Sequence, residues 1–406
     1  MGFRNTFGAV LAIAVIGFSS AARADTLADT LTAAYQNSGL LDQYRALLRA
    51  ADEDVAQAVS ATLPVISWSA NATATSPRAS GADLIAATAR ISADLTLYDG
   101  GANDLAIEAQ KELVLGTREA LRRIEQSVLL DAVTAYMQVR SDTEFVALRE
   151  SNVRVLTQEF RAAQDRFDVG EVTRTDVALA EARLAAARSL LASAQGSLAR
   201  SAEAYVTAVG RKPDALSPAK AAPVSQTLAD AKAFAVRNHP DILQAQHAVS
   251  AAELNIKRGE AAMKPSVSLG AQIGFDQDFN VGRSIGVTAS GPIYAGGRLS
   301  SQVRQFMSRR DAERAALLVT SMGIEQQVAN AYSFLEVARA SALSSNNQIA
   351  AARVAFRGVR EEATLGARTT IDVLNAEQEL LSAQANLIAA QADEVVASYQ
   401  VLASMG

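Results

Sequence analysis

The sequence predicts a mainly helical protein that also carries four membrane-type β-strands. Proline is absent from residues 78–212 and 293–406, and such long stretches without a helix breaker indicate long helices. Four shorter segments alternate between apolar and polar side chains, the pattern of a strand with two different faces. An internal repeat indicates that the helices and strands form two equivalent halves.

The chain begins with the pattern of an export signal. Arg4 precedes an apolar run from Thr6 to Phe18, and Ala22-Arg23-Ala24 fits an A-x-A cleavage site. We therefore expect residues 1–24 to be a signal peptide and the mature protein to begin at Asp25. The chain has no cysteine, so we expect neither disulfides nor a lipidated N-terminal cysteine, and the predicted location is a Gram-negative envelope.

Charge and motifs argue against several function classes. Without the signal peptide the chain has 36 basic and 43 acidic residues, a net charge of −7, which does not suit nucleic-acid binding. Phosphate-binding loops and hydrolase motifs are absent, and His239 and His247 are isolated, so we expect no enzyme activity, cofactor or metal. In "NHPDI", Asn238 is predicted to end one helix and Pro240 to start the next.

The internal repeat covers most of the mature chain. At an offset of 196 residues, Tyr98-Asp99-Gly100-Gly101 matches Tyr294-Ala295-Gly296-Gly297, and Asp176-Val177 matches Asp372-Val373. We predict a first repeat at residues 25–210 and a second at 228–406. The segment 211–227, which contains three prolines, is predicted to be the linker.

Each repeat is predicted to contain one long helix and shorter helices that together match its length. At about 1.5 Å per residue, a helix over residues 102–168 or 299–364 would be about 100 Å long. The shorter helices are expected at 30–61, 173–209, 228–262 and 368–403. Heptad seams run along the two return helices, with Leu184, Leu191 and Leu198 in one and Ile371, Leu374, Gln378 and Leu381 in the other. Such seams also occur in purely structural coiled coils.

The strands are predicted as two hairpins, at about residues 64–98 and 265–294. Ile66, Trp68 and Ala70 alternate with polar residues, and the same pattern recurs after a tip at 76–83 and in the second hairpin. Strands of about ten residues with one apolar face can cross hydrocarbon when tilted. A soluble β-sandwich would alternate too, but its strands average about five to six residues and seldom join helices of this length.

Four such strands cannot close a sheet by themselves. Unsatisfied backbone groups at open edges cost several kcal/mol each in lipid, and the smallest closed membrane barrels need about eight strands. Several copies of the chain are therefore expected to share one barrel in outer-membrane lipid. Their helices, which leave the strands at one end, would form a common tube.

Paired glycines mark the predicted hinges between strand and helix. Tyr98 and Tyr294 are expected to end strands at the membrane interface, where aromatic rings settle. The glycines that follow permit the backbone angles of a sharp turn. The predicted hinge residues are Tyr98, Gly100, Gly101, Tyr294, Gly296 and Gly297.

The signal peptide, tandem repeat, paired hairpins, YxGG hinges and G-x5-D-V helix starts together resemble the TolC family of outer-membrane efflux proteins, over the whole mature chain. The resemblance implies a homotrimeric TolC-like α/β-barrel, in which a twelve-stranded barrel continues into a twelve-helix periplasmic tunnel. It implies an export channel for type I protein secretion, drug efflux or both. The implied partners are a periplasmic adaptor (membrane fusion) protein and an inner-membrane ABC or RND transporter.

The resemblance also assigns the helical turns farthest from the strands. In TolC-like proteins the adaptor meets these turns. The corresponding residues here are Val169, Gly170, Glu171, Leu365, Gly366 and Ala367.

"GARTTIDVLNAEQ", residues 366–378, is similar to the family's channel entrance. Asp372 matches a constriction aspartate, and Asn375 stands where the family has a second acid, which implies a less acidic ring. Arg368 matches a basic residue that ties the closed entrance to the neighbouring turn, here Thr175 and Asp176. The tyrosine latch of TolC itself falls near Ala363, so the full closing network is not implied.

Two alternatives remain open from the sequence. Thr173-x-x-Asp176 and Thr369-x-x-Asp372 both fit the capping box, so these aspartates are also expected to act as helix caps. The whole protein has an alternative interpretation as a soluble periplasmic coiled-coil adaptor or scaffold. An adaptor would show one central helical hairpin between different β-modules rather than a duplication of the whole chain.

Overall fold

The computed structural model describes residues 24–74 and 85–406. Residues 1–23 of the predicted signal peptide and the predicted hairpin tip at 76–83 lie outside the described residues. The described elements run twice through the same order, two helices, two strands, one long helix and one return helix. In the first half they are α1 Leu27–Asn37, α2 Gly39–Ser60, β1 Val65–Ala74, β2 Ile85–Tyr98, α3 Ala102–Asp168 and α4 Arg174–Val209. In the second half they are α5 Leu228–Asn238, α6 Pro240–Ala261, β3 Ser266–Asp276, β4 Val281–Ser290, α7 Arg298–Thr364 and α8 Thr370–Met405.

The prediction of one continuous helix over 30–61 was wrong. The helix breaks at Ser38, whose hydroxyl accepts a hydrogen bond from the Leu41 N–H at 3.3 Å and so caps α2. In the second half the break falls at His239, between Asn238 and Pro240, as "NHPDI" predicts. The His239 Nδ1 accepts from the Asp241 N–H at 3.2 Å, and burial lowers the pKa of the imidazole. In each repeat, two consecutive helices separated by a single residue therefore precede the hairpin of strands.

The four strands form one antiparallel sheet in the order β1-β2-β3-β4. Its register places Trp68 opposite Ile91 and Ile91 opposite Ile273, so apolar side chains share one face across three strands. Polar pairs such as Ser67 and Ser92, whose hydroxyls are 2.8 Å apart, lie on the other face. Strands β1 and β4 each pair on one side only within the described chain.

Tyr98 ends β2 as predicted, but the prediction for Tyr294 was wrong. Strand β4 ends at Ser290, four residues earlier. Pro292 lacks the N–H that a strand would use for pairing, which explains why the ladder stops there. Tyr294 lies in the connection to α7 and is almost fully exposed.

No helix among the described residues combines the length and the apolar character needed to cross a membrane.

The main core lies where the helical pairs meet in the middle of the molecule. Tyr136 on α3 and Tyr205 on α4 are fully buried in it. The Tyr136 hydroxyl donates to the backbone carbonyl of Ser217 at 2.6 Å, which ties the segment between the repeats to α3. Asp25 forms an ion pair with Arg211 at 2.7 Å and a parallel bridge with Leu216. The expected mature N-terminus is thus fixed against the same segment.

Candidate functional site

Two nearly identical turns close the helical end of the molecule. Helix α3 has 67 residues, so the turn after it lies about 100 Å from the strands. Gly170 and Gly366 adopt left-handed φ angles of 79° and 76°. In each turn an N–H after the glycine reaches back to the end of the helix, from Glu171 to Arg166 and from Ala367 to Glu362, both at 2.9 Å. Glycine is required because other residues are strained at this φ.

The residue before each glycine is a large apolar side chain without cover. Val169 is 72% exposed and Leu365 is 85% exposed. Together with the glycines, Glu171 and Ala367, they form the six predicted docking residues, and both sets lie at the helical end. Exposed apolar side chains at a tip are suited to contact with another protein.

Asp176 and Asp372 both form the predicted capping boxes. The Thr369 hydroxyl lies 2.8 Å from Asp372 Oδ2, and this carboxylate also accepts from the Thr369 N–H at 3.0 Å. Asp176 makes the same contacts with Thr173 at 2.7 and 2.9 Å. The hydrogen bonds from the threonine hydroxyls lower the pKa of both aspartates, so they are ionised at neutral pH.

Arg368 forms its ion pair within its own turn. Its Nε lies 2.7 Å from Glu362 Oε2, and this hydrogen bond raises the pKa of the guanidinium. The contact to Thr175 and Asp176 on the neighbouring turn stays a prediction. All of these residues are at the same end of the molecule.

Asn375 connects the two helical hairpins near the turns. Its Oδ1 accepts a hydrogen bond from Arg183 Nη2 of α4 at 3.4 Å. The sequence predicted a loss of acidity at position 375, and the structure adds a guanidinium beside it. Nothing in the spacing of Arg183 revealed this contact, because it joins residues that are 192 positions apart.

A buried carboxylate that was not predicted from the sequence lies five residues after Asp372. Glu377 is 8% exposed, and its Oε1 accepts a hydrogen bond from Asn152 Nδ2 of α3 at 2.9 Å. Its Oε2 is buried and has no hydrogen-bond partner among residues 24–74 and 85–406. Burial raises the pKa of this group to about 7. The predicted seam of α8 ran through Gln378, which was wrong, because Gln378 is exposed and Glu377 occupies the packed position.

The first strand-to-helix hinge is tightly held. Gly100 and Gly101 adopt left-handed φ angles of 72° and 88°. The Asp99 carboxylate accepts hydrogen bonds from three backbone N–H groups, those of Gly101 at 2.9 Å, Ala102 at 3.1 Å and Asn103 at 2.7 Å. A Cβ on Gly100 would lie 2.9 Å from Lys264 Cδ, so this glycine is also required by close packing.

The second hinge has the same backbone but fewer contacts. Gly296 and Gly297 also have left-handed φ angles, of 60° and 79°. Ala295 occupies the position of Asp99 and has no side-chain oxygen to cap α7. A Cβ on either glycine would meet no atom within 4 Å. Glycine is needed here for its φ angle alone.

The described residues contain no cluster of three or more His, Cys, Asp or Glu side chains that could hold a metal ion. His247 instead lies 2.8 Å from Glu112 and joins α6 to α3.

A family model described as outer membrane efflux protein matches residues 30–211 and 234–406 of the chain. The protein belongs to this family. The match includes both hinges, both turns and both capping boxes. The predicted relationship to the TolC family is therefore confirmed, and the alternative of a periplasmic adaptor is wrong.

Relatives cover nearly the full length of the chain. Outer membrane efflux protein BepC from Brucella suis biovar 1 (strain 1330) is 39% identical over 98% of this chain and 89% of BepC. Outer membrane protein TolC from Escherichia coli (strain K12) is 22% identical over 91% of this chain and 81% of TolC. The crystal structure of the outer membrane protein VceC from Vibrio cholerae has a TM-score of 0.79 and 20% identity, over 94% of this chain and 96% of that chain. This likeness confirms the predicted TolC-like fold of strands and long helices.

The protein is thus an outer-membrane efflux protein that extends into the periplasm, and its function is export through a channel.

Proposed function

We propose that this outer membrane efflux protein works as a homotrimer, in which three copies form one continuous duct from the periplasm to the cell surface. In this duct the three four-stranded sheets close a twelve-stranded barrel, and the long helices line the tunnel below it. The observation that carries the proposal is the sheet with two free edges.

Strands β1 and β4 are ten residues each and pair on one side only within the described chain. Their unpaired N–H and C=O groups would face hydrocarbon, where each costs several kcal/mol. Pairing β1 of one copy with β4 of the next satisfies both edges by one repeated contact. A ring of identical contacts is the form that a closed cyclic oligomer takes.

Helix α7 supports the same conclusion outside the membrane. It leaves a series of large apolar side chains uncovered, and Phe334, for example, is 61% exposed. The others include Leu318, Val319, Met322, Val337 and Leu343. Apolar surface of this extent on one helix is typical of an interface with another chain. A second copy that covers α7 accounts for the lack of cover in one chain.

The entrance of the proposed duct lies at the two helical turns. Three copies would place three Asp372 carboxylates around the axis, and a carboxylate ring attracts cations and repels anions. The low pKa of Asp372 keeps such a ring charged at neutral pH. Arg368 and the neighbouring Thr175 and Asp176 would hold the ring closed between copies.

Val169 and Leu365, with the glycine turns beside them, would contact a periplasmic adaptor. We assign the energy source to an inner-membrane transporter of the ABC or RND class behind that adaptor. Such an assembly would serve type I protein secretion or drug efflux. The similarity to the alkaline protease secretion protein AprF and to the solvent efflux pump outer membrane protein SrpC supports this proposal.

The experiment is the mass and location of the full-length protein. After expression in a Gram-negative host, detergent extracts of the outer membrane are expected to contain a particle of three copies that dissociates on heating. The same extract should form ion-conducting channels in planar bilayers. A water-soluble monomer in the periplasmic fraction would contradict the proposal.

A further inference from the structure

The buried hydrogen bond between Glu377 and Asn152 marks how α8 packs against α3. Glu377 lies on α8 about two turns from the entrance, and its partner lies on the neighbouring α3. One turn closer to the entrance, Leu374 and Leu156 are buried together in the same contact region. An acid–amide pair and a leucine pair therefore define the register of this helix contact.

The internal repeat places a similar acid and amide on α4 and α7, two helices without such a contact. At the offset of 196, Glu377 corresponds to Glu181 on α4, and Asn152 corresponds to Gln348 on α7. Glu181 has a carboxylate and Gln348 has a carboxamide, as do Glu377 and Asn152. Glu181 and Gln348 are exposed in the single chain.

Helices α4 and α7 make no extended contact within the described part of the chain, whereas α3 and α8 pack on each other. In the internal repeat, α4 corresponds to α8 and α7 corresponds to α3. In a closed ring of copies, α4 of one copy would meet α7 of the next, as α8 meets α3 inside each copy. Ala178 and Ala352 stand at the positions of Leu374 and Leu156. Small side chains there leave room for the helices to approach.

We propose that Glu181 accepts a hydrogen bond from Gln348 of the partner subunit, as the counterpart between subunits of the Glu377–Asn152 bond. This inference rests on the proposed trimer. Three bonds within subunits and three between subunits would then encircle the helical tube at one level, about 8 Å along the helix from Asp372. The partner of this surface is a second copy of the same chain, and the pairing fixes its register.

Site-directed cross-linking tests the register, since the natural chain has no cysteine. The test variant is Glu181→Cys with Gln348→Cys, and the probe is the thiol cross-linker bis-maleimidoethane, applied to the protein in outer-membrane fractions. We expect covalent dimers and trimers on denaturing gels. Both positions are exposed in the single chain, so the substitutions should not disturb its folding.

A matched control carries Glu181→Cys with Ala355→Cys. Ala355 lies on the same side of α7, seven residues and about 10 Å further along the helix, so a short linker should reach it less readily than Gln348. We expect the Gln348 pair to give clearly more cross-linked product than the Ala355 pair. A reference variant with Asn152→Cys and Glu377→Cys should react within one subunit and add no higher mass.

The outcomes separate this inference from the trimer itself. If the uncross-linked protein has the mass of three copies but the Ala355 pair reacts as well as the Gln348 pair, the pairing is wrong and the trimer stands. If the uncross-linked protein is a monomer, both proposals fail. Preferential reaction of the Gln348 pair in a particle of three copies supports the pairing.

Discussion

Helices α3 and α7 have the same length of 67 residues and the same place in their repeats, but their surroundings differ. Helix α3 packs against α1, α2, α4, α6 and α8, whereas α7 packs against α5, α6 and α8. Large apolar side chains are exposed on α3 at Leu113 and Phe167. On α7 they are exposed at Met307, Leu318, Val319, Met322, Phe334, Val337, Leu343 and Val354.

The difference shows which long helix is covered within the chain and which would be covered only by another copy. The first repeat finds cover for its long helix inside the chain, since α6 and α8 of the second repeat lie against α3. Within residues 24–74 and 85–406, no further repeat lies against α7 in the same way. In the proposed trimer, association of identical chains would supply that cover, and the two repeats would then become equivalent in surroundings as well as in position.

Charge on the exposed face of α7 is expected to give the largest effect. Phe334→Asp together with Val337→Asp places two carboxylates in the proposed interface, where burial of unpaired charge costs several kcal/mol. We expect loss of the heat-sensitive trimer band while the single chain keeps its helical circular dichroism. Gln305→Asp, at an exposed polar position of α7, is the control and should leave the trimer intact. An intact trimer in the double variant would mean that this face is not an interface.

The stability of the packed contact between α3 and α8 is expected to depend on pH through Glu377. Burial raises its pKa from 4.5 to about 7, so the native protein binds this proton more tightly than the unfolded chain. Two residues of α3 act in opposite directions, since Glu159 raises the pKa further and the hydrogen bond from Asn152 lowers it. Arg360 on α7 also lowers the pKa. The stabilising contribution is full below pH 4.5 and is lost as the pH rises to about 7.

Glu377→Gln should remove this dependence. Relative to that variant, the natural protein is expected to lose roughly 3 kcal/mol of stability between pH 4.5 and 7, measured by chemical unfolding at each pH. Glu379→Gln changes an exposed glutamate on the same helix and serves as the control, with an unchanged pH profile. Parallel profiles for the natural protein and Glu377→Gln would show that folding leaves the pKa of Glu377 unchanged.

The two hinges differ in one residue, since Asp99 in the first corresponds to Ala295 in the second. Exchanging these residues tests what the carboxylate contributes to stability. Asp99→Ala removes the carboxylate that accepts three hydrogen bonds at the start of α3, and it is expected to lower the unfolding free energy by about 1–2 kcal/mol. Ala295→Asp should add such a cap to α7 and raise stability by up to about 1 kcal/mol. Equal and negligible effects in both variants would mean that the hinge backbone is held by its other contacts.

Much of the fold could be predicted from local signals. Helix α3 was predicted at 102–168 and occupies those residues, because the glycines at 100, 101 and 170 mark its ends. The capping boxes of Asp176 and Asp372 were predicted for a similar reason, since donor and acceptor are three residues apart. Features that depend only on residues a few positions apart could therefore be predicted from the sequence.

The errors concern contacts between distant segments or weak local signals. Glu377 was overlooked because its burial depends on Asn152, 225 residues away, and a glutamate is normally exposed. The break at Ser38 was missed because Ser38 and Gly39 do not exclude a helix as a proline does, whereas the second repeat has Pro240 at the corresponding place. The pairing of Asn375 with Arg183 was likewise invisible to spacing.

The smallest expected change in stability comes from the two capping aspartates, and it separates their capping role from a role in the channel. Asp176→Ala and Asp372→Ala each remove one capping box, so both should lower the unfolding free energy by about 1 kcal/mol. Only Asp372 is proposed to line the constriction. Asp372→Ala should therefore raise single-channel conductance and weaken block by multivalent cations in planar bilayers. Asp176→Ala should leave the cation block close to the natural value, and it should change conductance only through loss of the proposed closing contact with Arg368.

Asp372→Asn sharpens this test, because the amide oxygen can still accept from the Thr369 N–H while the negative charge is lost. If the charge matters, this variant should match Asp372→Ala in cation block but lie nearer to the natural protein in stability. If cation block instead follows stability across the three variants, the carboxylate acts only as a cap. The second repeat would then differ from the first in its packing and not in its entrance.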